Sequence, residues 1–257
     1  MNKIEQTIYE LDTMKSYPRE LYYDGNTELL NRRKVSIVGS RKTSKYSREM
    51  THKLSSALAK VGVCVVSGGA MGVDAVAHLG AGASNTIAVL PCGINIKYPA
   101  VNKNLLRDIQ TEGLLLSQFK KDEKARPWSF VVRNELVVAL GEVLIVAEAE
   151  LNSGSMRSIE YALAMGKEIF VFPHRLGESS ATNQLLKEGK AKAIYDIDAF
   201  VLRFGSVGAS RSEEDAFTIF CQANPTYEET LLKFPSRVFE AELNAEIEVI
   251  NGKIFLL

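Results

Sequence analysis

Arg41 and Lys42 directly follow Gly39 and Ser40 at the end of an apolar run, a combination able to hold a phosphate. A guanidinium offers a planar two-donor fork to an anion, and glycine and serine let the backbone come close to it. Residues 35–38 are a β-branched run that reads as a buried strand, and Gly39 permits a sharp turn. Met50, Leu54, Ala57, Leu58 and Val61 fall on one helical face, which predicts a helix from about Lys45 to Lys60. Strand, small-residue turn and helix in that order aim unpaired backbone N–H groups at an anion. From Arg32 to Arg48 there are seven basic residues and no acidic one. The alternative is an ordinary strand-to-helix turn with solvated cations around it.

The elements that would position this turn repeat along the chain. Residues 63–66 form a second strand-like run, followed by Ser67, Gly68, Gly69 and a helix from about Met71. Further apolar strands are expected at 86–90, 114–116, 143–146 and 169–172, with an edge strand at 193–195. Helices are expected near 101–111, over 130–140, from Ser153, Gly154 and Ser155 to Met165, and around Leu185 and Leu186. Apolar strands alternating with amphipathic helices predict an α/β fold, a doubly wound, Rossmann-like parallel sheet. Ligands of such a sheet bind beyond the carboxyl ends of the strands, where the three small-residue turns fall together. That coincidence favours phosphate binding.

Residues 1–33 read as a lead-in packed on a Rossmann-like domain over 34–204. The Gly- and Ser-rich stretch 205–212 has linker composition. Beyond it, helices at 213–222, 227–233 and 236–243 and a hairpin turning at Asn251 and Gly252 make a small winged-helix-like module, 213–257. The chain of 257 residues has 31 basic and 31 acidic side chains, yet residues 211–257 hold four basic and nine acidic ones. That module therefore lacks the basic face that DNA binding needs, and a packing appendage is the alternative reading. No apolar run is long enough to span a bilayer, and the N-terminal residues lack a signal-peptide core, so no membrane partner and a cytoplasmic location are expected. Cys64, Cys92 and Cys221 read as reduced, buried thiols.

The order and spacing of these motifs resemble the DNA-processing protein A (DprA, or Smf) family, over about residues 17–194. The resemblance is carried by residues 35–41 with Tyr46; 65–72 with Asp74 and His78; 86–90 with Gly93, Tyr98 and Pro99; Phe130 with Arg133 and Asn134; Ser153, Gly154 and Ser155; and Thr182 with Asn183. It implies a dimeric, non-catalytic cytoplasmic protein of natural transformation. Such a protein binds incoming single-stranded DNA without sequence preference, protects it and helps load the RecA recombinase. No cofactor, metal or catalytic residue is implied. Ala181 stands where the family usually has glycine.

On this reading Arg41 clamps a phosphate over Gly39 and Ser40, with Lys42 beside it. Gly68 and Gly69 admit a neighbouring phosphate, and Lys121, Lys124 and Arg126 line the strand's path. Phe130 either stacks on a base or is buried at a helix start. Arg133 and Asn134 either touch the strand or fix the segment that carries Phe130. Ser153, Gly154, Ser155 and Asn183 complete the set. Asp74 and His78, four residues apart, read as a polar pair steadying the turn rather than a metal site. The competing class is a Rossmann-like nucleotide phosphoribohydrolase using Glu160, but only Gly154 of that pattern's glycines is present. A dinucleotide enzyme is disfavoured because Gly39 belongs to no Gly-x-Gly-x-x-Gly fingerprint.

Overall fold

A computed structural model describes residues 2–205, 216–243 and 246–256. The chain divides into two compact units, Met1–Val207 and Gly208–Leu257. The first is built on a nine-stranded sheet. Its strands are β1 (Asn2–Lys3), β2 (Tyr22–Gly25), β3 (Lys34–Val38), β4 (Cys64–Ser67), β5 (Thr86–Leu90), β6 (Leu114–Ser117), β7 (Leu144–Val146), β8 (Ile169–Val171) and β9 (Lys192–Ala193). They lie in the order β1-β2-β6-β5-β4-β3-β7-β8-β9. All pairs from β6 to β9 are parallel, whereas β2 pairs antiparallel with β6 and β1 with β2. The lead-in thus contributes two strands to the sheet besides packing Ile8, Leu11 and Met14 on it. Their short, polar sequences carry little of the alternation that marks a strand.

Alternation along the strands sends side chains to both faces, and helices cover each. Val35, Ile37, Val65 and Ile145 pack under α1 (Lys45–Lys60), α2 (Val73–Ala81) and α7 (Ile197–Val201). Leu90 and Leu115 on the same face meet Leu106 and Ile109 of α3 (Lys103–Glu112). Val38, Val66, Val89 and Val146 face the other way, toward α4 (Pro127–Leu140), α5 (Ser155–Ala164) and α6 (Ser180–Lys187). Strand order runs one way from β3 to β6 and the other way from β7 to β9, so the switch point lies between β3 and β7. A crevice opens there beyond the strands' carboxyl ends.

The seven-residue basic run does not form one patch. At about 3.3 Å per residue, the five residues of β3 separate its two ends by roughly 17 Å. Arg33 pairs with Glu142 at 2.7 Å. Lys34 is buried, with Nζ 2.7 Å from Glu10 and 2.6 Å from the Leu30 carbonyl. Only Arg41 and Lys42, with Lys45 and Arg48 on α1, lie at the carboxyl end.

The second unit contains α8 (Ala216–Cys221), α9 (Tyr227–Lys233), α10 (Pro235–Leu243) and a hairpin of β10 (Ile247–Ile250) and β11 (Lys253–Leu256). Phe217, Cys221, Val238, Ala241, Ile247 and Ile254 form its own core. Asn251 and Gly252 both have positive φ, as the tight turn requires. The expected linker falls outside the described residues from 206 onward, as do residues 213–215 of the first expected helix. Among the described residues no helix is long and apolar enough to cross a membrane.

Candidate nucleic-acid interface

A cleft of about 720 Å³ occupies the switch point. Four segments converge on it. The β3–α1 turn brings Gly39, Ser40, Arg41 and Lys42; the β4–α2 turn brings Gly68; the β7–α5 turn brings Ser153, Gly154 and Ser155. From α4 come Phe130, Arg133, Asn134 and Val137, whose spacing places them on one face of the helix. That helix begins at Pro127, earlier than the apolar pattern indicates. Proline suits a first helical position, and the Ser129 hydroxyl accepts the Arg126 N–H at 2.9 Å. Phe130 therefore sits in the first turn of a helix, where its backbone is fixed.

Phe130 is half-buried rather than a core residue. Tyr98 meets it edge-on with centroids 5.8 Å apart, and the Arg41 guanidinium lies 5.4 Å from its ring centre. Arg41 is exposed and, among the described residues, has no acidic partner within ion-pair distance. An exposed cation on an aromatic face can contact a phosphate where the ring takes a base.

Arg133 is a different kind of arginine. It is 4% exposed, its Nη1 lies 3.8 Å from Asp74 Oδ2, and it donates to the Val89 carbonyl at 3.4 Å. Burial pushes the Asp74 carboxyl up, against the pull of Arg133, while burial lowers Arg133, which nevertheless keeps its charge. A Cβ on Gly68 would stand 1.4 Å from Arg133 Nη1. The space above Gly68 is thus filled by Arg133, not left for a phosphate, and Arg133 forms the floor of the cleft. Gly69 is required by its φ of +68°, and its carbonyl is held by Asn102 at 3.0 Å. Asp74 and His78 do not bond to each other. Asp74 accepts the Ala70 N–H, whereas His78 Nδ1 meets the Thr86 hydroxyl at 2.7 Å. That hydroxyl donates to the Val65 carbonyl, so His78 Nδ1 is the donor, and burial drives the imidazole down to about 3.

The β3–α1 turn does not present the open amides expected of it. Ser40 N–H is bonded to the Glu148 carbonyl at 2.8 Å, and Lys42 N–H to the Ser40 hydroxyl at 3.1 Å. At the start of α1, the Glu148 carboxylate accepts the Ser44 N–H at 2.9 Å and the Ser44 hydroxyl at 2.8 Å. Burial raises this carboxyl, but the Ser44 N–H and the Ser47 and Ser44 hydroxyls outweigh it, so its pKa lies below the ordinary value. The protein fills its own anion site there. Gly39 is glycine for packing, since a Cβ would stand 2.7 Å from Val73 Cγ2.

At the start of α5 the Met156 and Arg157 N–H groups bond to the Ser153 and Gly154 carbonyls, at 3.1 and 3.3 Å. Gly154 is the N-cap of this helix, no side chain caps it, and its first turn holds no acidic residue. Among the described residues Ser153 Oγ is buried with no hydrogen-bond partner. Arg157 lines the same wall, shared with Glu160 at 2.7 Å, while Glu160 itself is exposed and does not line the cleft. A helix N-terminus without a side-chain cap, with an orphaned hydroxyl and Arg157 in the same lining, has the polarity that suits an anion. Arg157 escaped the sequence reading, although it follows its small-residue turn as Arg41 follows the other.

Five expected contacts lie elsewhere. Lys124 and Arg126 are exposed on the β6–α4 loop and do not line the cleft. Lys121, on the same loop, lines a separate one. Asn183 spends its amide on the Arg175 and Glu178 carbonyls, at 3.1 and 2.9 Å, and Gly69 is turned into the β4–α2 turn.

The profile of the family described as DNA recombination-mediator protein A matches residues 5–205. DNA processing protein DprA of Streptococcus pneumoniae is 35% identical over 185 residues, 70% of this chain and 65% of that protein. Its counterpart from Bacillus subtilis is 30% identical over 199 residues, 76% of this chain and 67% of that protein. The chain thus spans about two thirds of the length of these relatives. Among solved structures, DNA processing protein A from Helicobacter pylori, described for its single-stranded DNA binding mode, superposes with a TM-score of 0.77 at 40% identity. That match covers 79% of this chain and 94% of the other. With the profile matching strands β2 to β9 of the sheet-bearing unit, this chain belongs to the DNA recombination-mediator protein A family.

Proposed function

We propose that the chain is a non-enzymatic, sequence-independent single-stranded DNA-binding protein of the cytoplasm. In natural transformation it would protect incoming strands and, as a homodimer, help load RecA. The observation that carries the DNA reading is the pairing of exposed Arg41 with half-buried Phe130 at the mouth of the switch-point cleft. A phosphate-binding fork and a stacking ring side by side suit a backbone and its base, and neither distinguishes one base from another. The single-strand binding described for the H. pylori protein supports the same reading, and the family's description as a recombination mediator supports the RecA step. A hydrolase is disfavoured by Glu160, which is exposed, paired with Arg157 and outside the cleft lining.

Titration with oligothymidine at several salt concentrations tests it. Arg41→Ala is expected to weaken binding to every sequence and reduce the salt slope by about 0.7, one phosphate contact on a single strand. Phe130→Ala is expected to cost roughly 1–3 kcal/mol of affinity with the slope intact, because stacking releases no counterions. Unchanged binding in both variants, with melting unaltered, would remove the reading. Duplex should compete poorly, and nucleoside monophosphates should not be hydrolysed.

A further inference from the structure

A second cleft, of about 690 Å³, lies beside the first, and like the first its lining holds four cations and one acid. Lys103, Arg107 and Gln110 line it from α3, at spacings that place them on one helical face, and Lys121 closes it from the β6–α4 loop. Lys97 adds a fourth cation, its Nζ donating to the Ile94 carbonyl at 3.0 Å. Burial lowers the Lys97 pKa, and the nearby Arg107 adds to that. One acid, Asp24, faces these charges, and it is held by the Gln110 amide at 2.7 Å. Among the described residues Lys103, Arg107 and Lys121 have no acidic partner within ion-pair distance. Four cations kept together against one carboxylate leave an excess of positive potential inside a concave surface, which attracts an anion.

The wall between the clefts is short. Lys97 and Ala100 line the second cleft, while Tyr98, between them in sequence, lines the first and touches Phe130. Asn102, just beyond, ties this ridge to the β4–α2 turn through the Gly69 and Ala70 carbonyls, at 3.0 and 2.9 Å. The ridge is therefore fixed to the first cleft, and its exposed Tyr98 ring offers a stacking surface on the way across. We propose that a single strand leaving the first cleft passes over Tyr98 into the second, where Lys103, Arg107 and Lys121 bind its phosphodiester groups. This rests on the single-strand reading above and extends it to a longer site with two basic stations.

The full chain would be titrated with two oligothymidines, of about five and about fifteen nucleotides, at several salt concentrations. Lys103→Ala/Arg107→Ala is expected to bind the short oligomer as the unaltered protein does. It should bind the long one about tenfold more weakly, with the salt slope reduced by roughly 1.4, two phosphate contacts. Lys103→Arg/Arg107→Lys, which keeps the charge, is expected to retain the long-oligomer affinity, and melting controls for folding. Unchanged affinity at both lengths, or an equal loss at both, would overturn the proposal. So would inorganic phosphate that, at constant ionic strength, erases the long oligomer's advantage, since the cleft would then be a site for a free anion. If Arg41→Ala leaves both lengths unaffected, the single-strand reading fails at the first cleft. That result is distinct from a silent double variant.

Discussion

The two turns that flank the switch point start from similar sequences and end with opposite electrostatics. Gly39, Ser40 and Arg41 lead into α1; Ser153, Gly154 and Ser155, with Arg157 beyond, lead into α5. At α1 the Glu148 carboxylate takes the Ser44 N–H and hydroxyl, so the positive end of the helix is neutralised from within. At α5 no side chain caps the helix, and among the described residues Ser153 Oγ is buried without a partner. The first turn therefore contributes a side chain, Arg41, and the second contributes a helix end. A small-residue turn after a strand marks a place where an anion can bind; whether the protein has already supplied that anion is decided by a residue elsewhere in the chain.

Making the second turn resemble the first should have the largest effect. Gly154 has an ordinary helical φ of −62° and open space around a built Cβ, so Gly154→Asp can fold without strain. Its carboxylate would sit where a phosphate is expected, and oligothymidine affinity should fall at least about 30-fold, roughly 2 kcal/mol, by like-charge repulsion. Melting should be unchanged or slightly higher, since an acid at a helix start is favourable. Arg157→Ala should cost less, about three- to fivefold or roughly 0.7–1 kcal/mol, because Glu160 already shares that guanidinium. Fluorescence anisotropy at low salt reads both.

Opening the first turn should have the smallest effect on binding and a visible one on stability. Glu148→Gln is expected to leave affinity equal or slightly higher and to cost about 1 kcal/mol of folding stability. Because the folded-state pKa of Glu148 is lowered, its stabilisation is complete above the ordinary carboxyl value of 4.5 and is lost as pH falls below it. The variant should therefore match the unaltered protein's pH response above about 4.5 and lose less stability than it as pH falls further, a difference that thermal melting on both sides of that value detects.

Much of this was legible in the sequence because it is local. The strand–turn–helix of residues 34–60, the strand at 86–90 and the Asn251–Gly252 hairpin follow from periodicity and turn chemistry alone. What could not be read depends on partners far along the chain. The Glu148 carboxylate lies 104 residues from the Ser44 N–H it accepts. Gly68 reads as a phosphate-admitting glycine until Arg133, from α4, is seen to occupy its space. The basic run 32–48 looks like one patch because sequence does not show that a strand carries its first residues to the far end of the sheet. Lys97, Lys103 and Arg107 escaped notice for the same reason, being ordinary surface cations until α3 and the β6–α4 loop face each other.

Backbone amide shifts on adding oligothymidine to the isotope-labelled chain test the contrast between the two helix starts most directly. Perturbations at the Gly154 and Ser155 amides, with those of Ser44, Lys45 and Tyr46 nearly unmoved, are the predicted result. Shifts concentrated at Ser44, Lys45 and Tyr46, with the Gly154 and Ser155 amides silent, would contradict it.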